Sequence, residues 1–188
     1  LFESQMKEKN IDFTWNVNAN VSYNKNEITE LYNGITEYVA SDTGRMVAVG
    51  HPLGEFYLNR YAGVNPTNGD ALWYTKDGEI TTEYNESDKV MLGKTHEAPW
   101  QGGFGTTLSW QGFSLSAQFT WVADRWMLNN DRVFQESNGL FSAYNQSKRM
   151  LYDRWKKPGD VTDIPRYGVT PQLDSRFLED ASFLRLKN

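Results

Sequence analysis

The sequence predicts an all-β, antiparallel fold, and three features predict it. They are a hairpin with matched faces near residues 103–122, an alternating strand over about 12–24, and long connections punctuated by turn dipeptides. In the hairpin, Phe113, Leu115, Ala117, Phe119 and Trp121 alternate with Ser114, Ser116, Gln118 and Thr120. In the arm before it, Phe104, Thr106, Leu108 and Trp110 share one face, and Gly105, Thr107 and Ser109 take the other. A period of two marks a strand with one apolar and one polar face. A two-residue turn at Gln111-Gly112 would pair Trp110 with Phe113, Leu108 with Leu115, Thr106 with Ala117 and Phe104 with Phe119. Ser109 would then face Ser114, and Thr107 would face Ser116. A slip of one residue would mix the faces, so the pattern itself selects the register.

The strand at 12–24 sets Phe13, Trp15, Val17, Ala19, Val21 and Tyr23 against Thr14, Asn16, Asn18, Asn20, Ser22 and Asn24. Asparagine has poor β-propensity. An asparagine-rich face therefore implies a wet surface or a water-filled interior. Residues 25–102 form a long connection with short β-like pieces. Asn68-Gly69 and Asp77-Gly78 are turn dipeptides, and the stretch between them, Leu72–Thr75, predicts a small hairpin or meander. A second connection covers about 123–180, with a short helix expected over Ser147–Lys157, ending before Pro158-Gly159. The last strand, about 181–188, opposes Leu184 and Leu186 to Arg185 and Lys187.

Composition narrows the function classes. A formal net charge of -5 and a pI near 5.1 argue against a nucleic-acid partner. The absence of cysteine removes disulfides, thiol catalysis and Cys-based zinc sites. No apolar run approaches the roughly 18 residues a membrane helix needs, a test that is silent on transmembrane strands, because half their residues face inward. The chain opens at Leu1 without an initiator Met and stops at Asn188 inside an alternating segment, so it is expected to be part of a longer protein.

The order is strand, long loop, hairpin, long loop, strand. Short turns on one side and long excursions on the other characterise outer-membrane β-barrels, and aromatics bracket the strands as interfacial girdles do. Half-buried strands in a soluble sandwich alternate in the same way. The pattern alone leaves both readings open.

Five ordered stretches resemble the SusC/RagA family of TonB-dependent outer-membrane transporters of Bacteroidota. They are FTWNVNANVSYNKNEITEL (13–31), GHPLGEFYLNRYAGVNPTNGDALWY (50–74), GGFGTTLSWQGFSLSAQFTW (102–121), RWKKPGDVTDIPR (154–166) and SRFLEDASFLRLKN (175–188). The resemblance implies a segment of about four strands from the C-terminal part of a larger, plugged transmembrane β-barrel. Residues 1–188 would belong to that single barrel domain, with 25–102 and 123–180 as extracellular loops and the Gln111-Gly112 turn periplasmic. It further implies an outer-membrane location, import of oligosaccharides or oligopeptides, a SusD-like surface lipoprotein as lid, TonB as energy source through parts of the protein outside this chain, and lipid against the Phe/Trp face. Asn16, Asn18, Asn20, Gln118 and Thr120 would line the lumen. The rival from another class is a soluble β-sandwich carbohydrate-binding module; a glycoside hydrolase would be a third.

No catalytic arrangement, cofactor site or metal site is expected. His51 and His96 lack partners at ligand spacing, and Asp160, Asp163, Glu179 and Asp180 read as solvated loop charges rather than a glycosidase pair. Val64–Asp70 only distantly resembles a calcium loop and reads as a turn. Arg154, Trp155, Pro158, Gly159 and Asp160 read as a structural clasp, with Asp160 or Asp163 capping turns. The loop aromatics Tyr57, Tyr61, Trp73, Tyr74, Trp126 and Tyr144 could stack on sugar rings or clamp a peptide; alternatively they pack the loops against one another.

Overall fold

The structure is a computed structural model that describes residues 2–6, 12–40, 44–141 and 143–188. In chain order the strands are β1 (Phe2–Met6), β2 (Phe13–Tyr23), β3 (Glu37–Ala40), β4 (Arg45–Ala48), β5 (Glu55–Leu58), β6 (Arg60–Val64), β7 (Ala71–Tyr74), β8 (Ile80–Thr81), β9 (Val90–Thr95), β10 (Trp100–Trp110), β11 (Phe113–Ala123), β12 (Trp126–Leu128), β13 (Leu178–Asp180) and β14 (Phe183–Leu186). Two short helices, α1 (Asn130–Gln135) and α2 (Arg149–Tyr152), fall between β12 and β13. The chain divides into two compact units: Leu1–Asn26 with His96–Trp126 and Asp180–Asn188, and Glu27–Thr95 with Met127–Glu179.

The first unit is a five-stranded antiparallel sheet in the order β1-β2-β10-β11-β14. The hairpin register is the one its pattern selects: Trp110 faces Phe113, Leu108 faces Leu115, and Phe104 faces Phe119. Gln111 and Gly112 both take positive φ, 46° and 85°, the type I′ geometry whose twist matches that of the flanking strands. Ser109 bonds Ser114 at 2.8 Å and Thr107 bonds Ser116 at 3.1 Å across the polar face. The sheet has one strand more than the sequence pattern predicts. In β1, Phe2 pairs with Val17, Ser4 with Trp15 and Met6 with Phe13; at five residues its alternation is too short to stand out from a polar start.

The second unit is built from the two long connections. It contains a four-stranded sheet, β3-β4-β5-β9, and a three-stranded sheet, β6-β7-β8, while β12 and β13 form a separate two-stranded ladder. The expected meander is β6-β7-β8, with Gly69 and Gly78 at positive φ in its two turns. The expected helix over 147–157 is confined to Arg149–Tyr152. Beyond it the Thr162 hydroxyl donates to the Asp153 carbonyl, and Arg154 bridges Ile164. That leaves Trp155 free of helical spacing, so it packs against Gly69 instead.

Among the described residues, the buried hydrophobic ones all lie in this second unit: Met46, Val47, Ala48, Phe56, Leu58, Ala71, Trp73, Met150, Ile164, Phe177 and Leu178. The connections are thus a folded subdomain with its own core. β2, β10, β11 and β14, by contrast, carry their large apolar side chains half-buried or exposed.

Candidate functional site

The five-stranded sheet has one polar and one apolar face, and the second unit has a polar core. On the polar face, Asn20, Gly103 and Thr120 form one row, Asn18, Gly105 and Gln118 the next, and Asn16, Thr107 and Ser116 a third. The five expected lining residues, Asn16, Asn18, Asn20, Gln118 and Thr120, therefore lie side by side on one surface. Arg185 extends the Thr120 row. The faces of β2, β10 and β11 that carry these residues hold amides, hydroxyls, two glycines and Val122, and no ionisable group. Gly105 gives the Gln118 side chain its place: a Cβ there would overlap the Gln118 amide.

On the opposite face stand Trp15, Val21, Tyr23, Trp100, Phe104, Leu108, Trp110, Phe113 and Leu115, with Phe113 78% and Leu115 69% exposed. Tyr23 and Trp100 are in ring contact at one end, centroids 4.4 Å apart, and Trp110, Phe13 and Phe113 share the row at the turn end. Phe104 and Phe119 stack midway at 4.7 Å. The hydroxyl of Thr106, on this apolar face, accepts the Trp15 indole N–H at 2.8 Å, so neither polar group is left unpaired. Gly102 lies under the Trp121 ring, 2.9 Å from where a Cβ would sit.

The polar core of the second unit centres on Glu136, 1% exposed. Both its oxygens accept from Arg132 at 3.1 Å, and Oε1 also accepts from Arg149 at 2.7 Å. Arg132 reaches on to Glu179 at 2.6 Å, and Arg149 grips both oxygens of Asp163 at 2.7 and 2.8 Å. The Arg132 hydrogen bond, helped by one from Asn129, holds the Glu179 carboxyl below its usual range. Sequence reasoning missed this network, since its members lie up to 50 residues apart. Their charges were the only signal.

Of the six loop aromatics, Trp73 and Tyr61 meet at a second buried centre. Trp73 donates its indole N–H to Asp174 at 2.7 Å and is in edge contact with Tyr61 and Tyr84. The Tyr61 hydroxyl donates to the Asp163 carbonyl at 3.0 Å, and burial raises its pKa above the phenol range. Burial likewise pushes the Asp174 carboxyl up, against the hydrogen bonds from Trp73 and the Arg176 backbone. Tyr74 lies under the Arg60 guanidinium at 5.3 Å. Tyr57 is half-buried, and Tyr144 is exposed while touching Phe134 and Phe141. Trp126 is half-buried, its indole donating to Asp124 at 3.2 Å. Trp73 is thus a packing residue, Tyr61 is tied into the same centre, and no single surface gathers the six.

Among the described residues, no group of three or more His, Cys, Asp or Glu is placed to hold a metal ion. His51 Nδ1 lies 2.9 Å from Glu55. In the calcium-like loop, Asp70 accepts from Asn68 and from Arg166. The clasp is present: Trp155 donates to the Pro66 carbonyl at 3.2 Å and covers Gly69, while Asp160 caps its turn by accepting from the Lys156 and Lys157 backbones at 3.0 Å. Those two N–H groups hold the Asp160 carboxyl below its usual range. Asp163 instead pairs with Arg149 and lies 3.9 Å from Arg132.

No protein-family model matches the chain. It is 25% identical over 213 residues to TonB-dependent receptor P3 of Formosa agariphila, covering all of this chain and 20% of the receptor. It is 21% identical over 234 residues to TonB-dependent receptor P39 of the same organism, covering 96% and 22%. Among solved structures it matches the RagAB peptide transporter with a TM-score of 0.87 and 35% identity, over 98% of this chain and 21% of the other. The "open-open" state of the RagAB peptide importer matches with a TM-score of 0.82 and 36% identity, over 98% and 20%. The chain spans about a fifth of the length of each relative. The resemblance to SusC/RagA-type TonB-dependent transporters read from the sequence is therefore a relationship of sequence and fold alike, over the stretch of those proteins that this chain spans.

Proposed function

We propose that residues 1–188 form part of the wall and outer loops of a TonB-dependent outer-membrane importer. The observation that carries this is the exposed Phe/Trp face on strands of 11 residues, the length of a tilted membrane-spanning strand. A soluble sandwich would bury that face. The opposite, uncharged face suits the wall of a water-filled lumen, with Asn16, Asn18, Asn20, Gln118 and Thr120 as lining. β1 and β14, the edges of the sheet, would pair with further strands, since an open edge in lipid leaves backbone groups unpaired.

Nutrient import, of peptides or oligosaccharides, is supported by the similarity to TonB-dependent receptors and to a RagAB peptide transporter. In the same reading TonB would supply the energy, a SusD-like surface lipoprotein would be the lid, and the second unit, folded from the connections, would meet lid and cargo.

The test uses two adjacent residues on opposite faces in the intact protein. An arginine on the lipid face of a barrel costs about 2–4 kcal/mol near the bilayer midplane. Ala117→Arg should therefore sharply reduce the amount recovered in the outer membrane, while Gln118→Arg should leave it near the parent level. Equal effects, or a parent protein that is soluble and monodisperse without detergent, would sink the reading.

A further inference from the structure

β14 brings positive charge to a sheet face that β2, β10 and β11 leave neutral. Backbone hydrogen bonds from Lys187 to Gln118 and from Gln118 to Asn188 carry the β11–β14 ladder one step past Leu186. Arg185 therefore joins the row of Asn20, Gly103 and Thr120, and Lys187 joins the row of Asn18, Gly105 and Gln118. Like-facing residues along a strand repeat at about 6.7 Å, so the two cations are neighbours. Both are exposed, and neither is in an ion pair among the described residues. β2, β10, β11 and β14 put no acidic residue on this face. Glu3 pairs with Asn16 from β1, the edge opposite β14.

An anion would meet several donors here. The Arg185 guanidinium lies over the Phe183 ring at 4.9 Å. Stacking orders it and leaves its N–H edge open, the planar fork that matches a carboxylate. In the same row Asn20 and Thr120 flank Gly103, where a Cβ would stand 2.9 Å from the Phe119 carbonyl and 3.8 Å from the Asn20 amide. The floor between them is bare backbone. In the next row the Gln118 amide lies against Gly105. Among the described residues the side chains of Asn18, Asn20, Gln118 and Thr120 have no hydrogen-bond partner, so their N–H and O–H groups can turn to a ligand. Two like charges on a wall without opposing charge focus attraction on anions. A neutral solute gains only the weaker contacts of the amides and hydroxyl.

We propose that Arg185 and Lys187, with Thr120, Gln118 and Asn20 beside them, form an anion-binding station on the polar face, taking carboxylate groups of a solute that moves along it. The inference rests on the importer reading, which makes this face the wall of the solute's route, and deepens it by naming a charge class. It fails separately, because binding is measured without reference to membrane insertion.

The test is calorimetric titration of the intact protein in detergent at low ionic strength, with two matched pairs of probes. Hexagalacturonate is set against its methyl ester, and acetylated, amidated hexaglutamate against hexaglutamine. At least one acidic probe should bind about tenfold or more tighter than its neutral counterpart, and the pair that shows it tells whether sugar or peptide carries the carboxylate. Combining Arg185→Gln with Lys187→Gln, both at exposed positions, should bring that pair to within about twofold, whereas Arg185→Lys alone should keep most of the preference. No preference for either acidic probe, or a preference that the double variant retains, would overturn the proposal. Either result, with Ala117→Arg still impairing membrane recovery, would remove the station and leave the importer reading in place.

Discussion

Glu136 is the buried carboxylate that joins two arginines of the second unit. Arg132 and Arg149 come from α1 and α2, and each also holds a second carboxylate. Removing one partner of a buried ion pair leaves charge uncompensated, a loss of about 3–5 kcal/mol for fully buried groups. Both arginines keep partial access to water, so Glu136→Ala should cost less, about 2–3 kcal/mol. The readout is hydrogen exchange over residues 127–179, which should lose protection while β2, β10 and β11 keep theirs. Two carboxylates of the same unit predict opposite pH effects. Asp174, raised by burial, supports the fold while protonated, and that support is lost as pH rises through its elevated pKa. Glu179, lowered by Arg132, lends support that is present above the ordinary carboxylate range and lost as pH falls through its depressed pKa. Asp174→Asn should flatten the decline in protection on the alkaline side of the carboxylate range, and Glu179→Gln the decline on the acid side. Protection corrected for intrinsic exchange rates checks both.

Among the strands, β10 carries the tightest constraint. A Cβ on Gly102 would overlap the Asn20 carbonyl and press the Trp121 ring, so β2 and β10 must part to admit it. At Gly105 the obstruction is only the mobile end of Gln118. Gly102→Ala should therefore destabilise the sheet by about 1–3 kcal/mol, and Gly105→Ala by clearly less, measured as the urea midpoint for release of the sheet in detergent. An equal effect would show that Gln118 is as fixed as a backbone. The turn of the same hairpin offers a gain. Gln111 sits at φ 46°, a region that asparagine tolerates better than glutamine. Gln111→Asn should raise that midpoint slightly, by some tenths of a kcal/mol as a rough figure.

Over the molecule as a whole, the tryptophans divide by environment. Trp15, Trp110 and Trp121 belong to the apolar face of the sheet, whereas in the second unit Trp73 is buried and Trp155 is half-buried against Gly69. In vesicles of brominated lipid, fluorescence from a variant retaining only Trp15 and Trp110 should be strongly quenched. A variant retaining only Trp73 and Trp155 should be nearly unaffected. Quenching of both sets alike would contradict the proposed lipid-facing role of the sheet.

The alternation in 13–23 and 104–121 specified strand identity, face and hairpin register, because side chains alternate strictly along a strand and any slip exchanges the faces. The polar face of the sheet was legible for the same reason, as a run of amides at every second position. Apart from the meander that Asn68-Gly69 and Asp77-Gly78 marked, the strands of two to six residues in the connections were not, since so few positions cannot establish a period; neither could five residues of β1. The same limit hid the core of the second unit. Its buried residues come from segments as distant as Phe56 and Phe177, and only folding brings them together. Glu136 and Asp174 look in the chain like the solvated charges around them. Their burial was decided by arginines and a tryptophan contributed from elsewhere, which is why a core of ion pairs and Trp73 took the place of a simple loop surface.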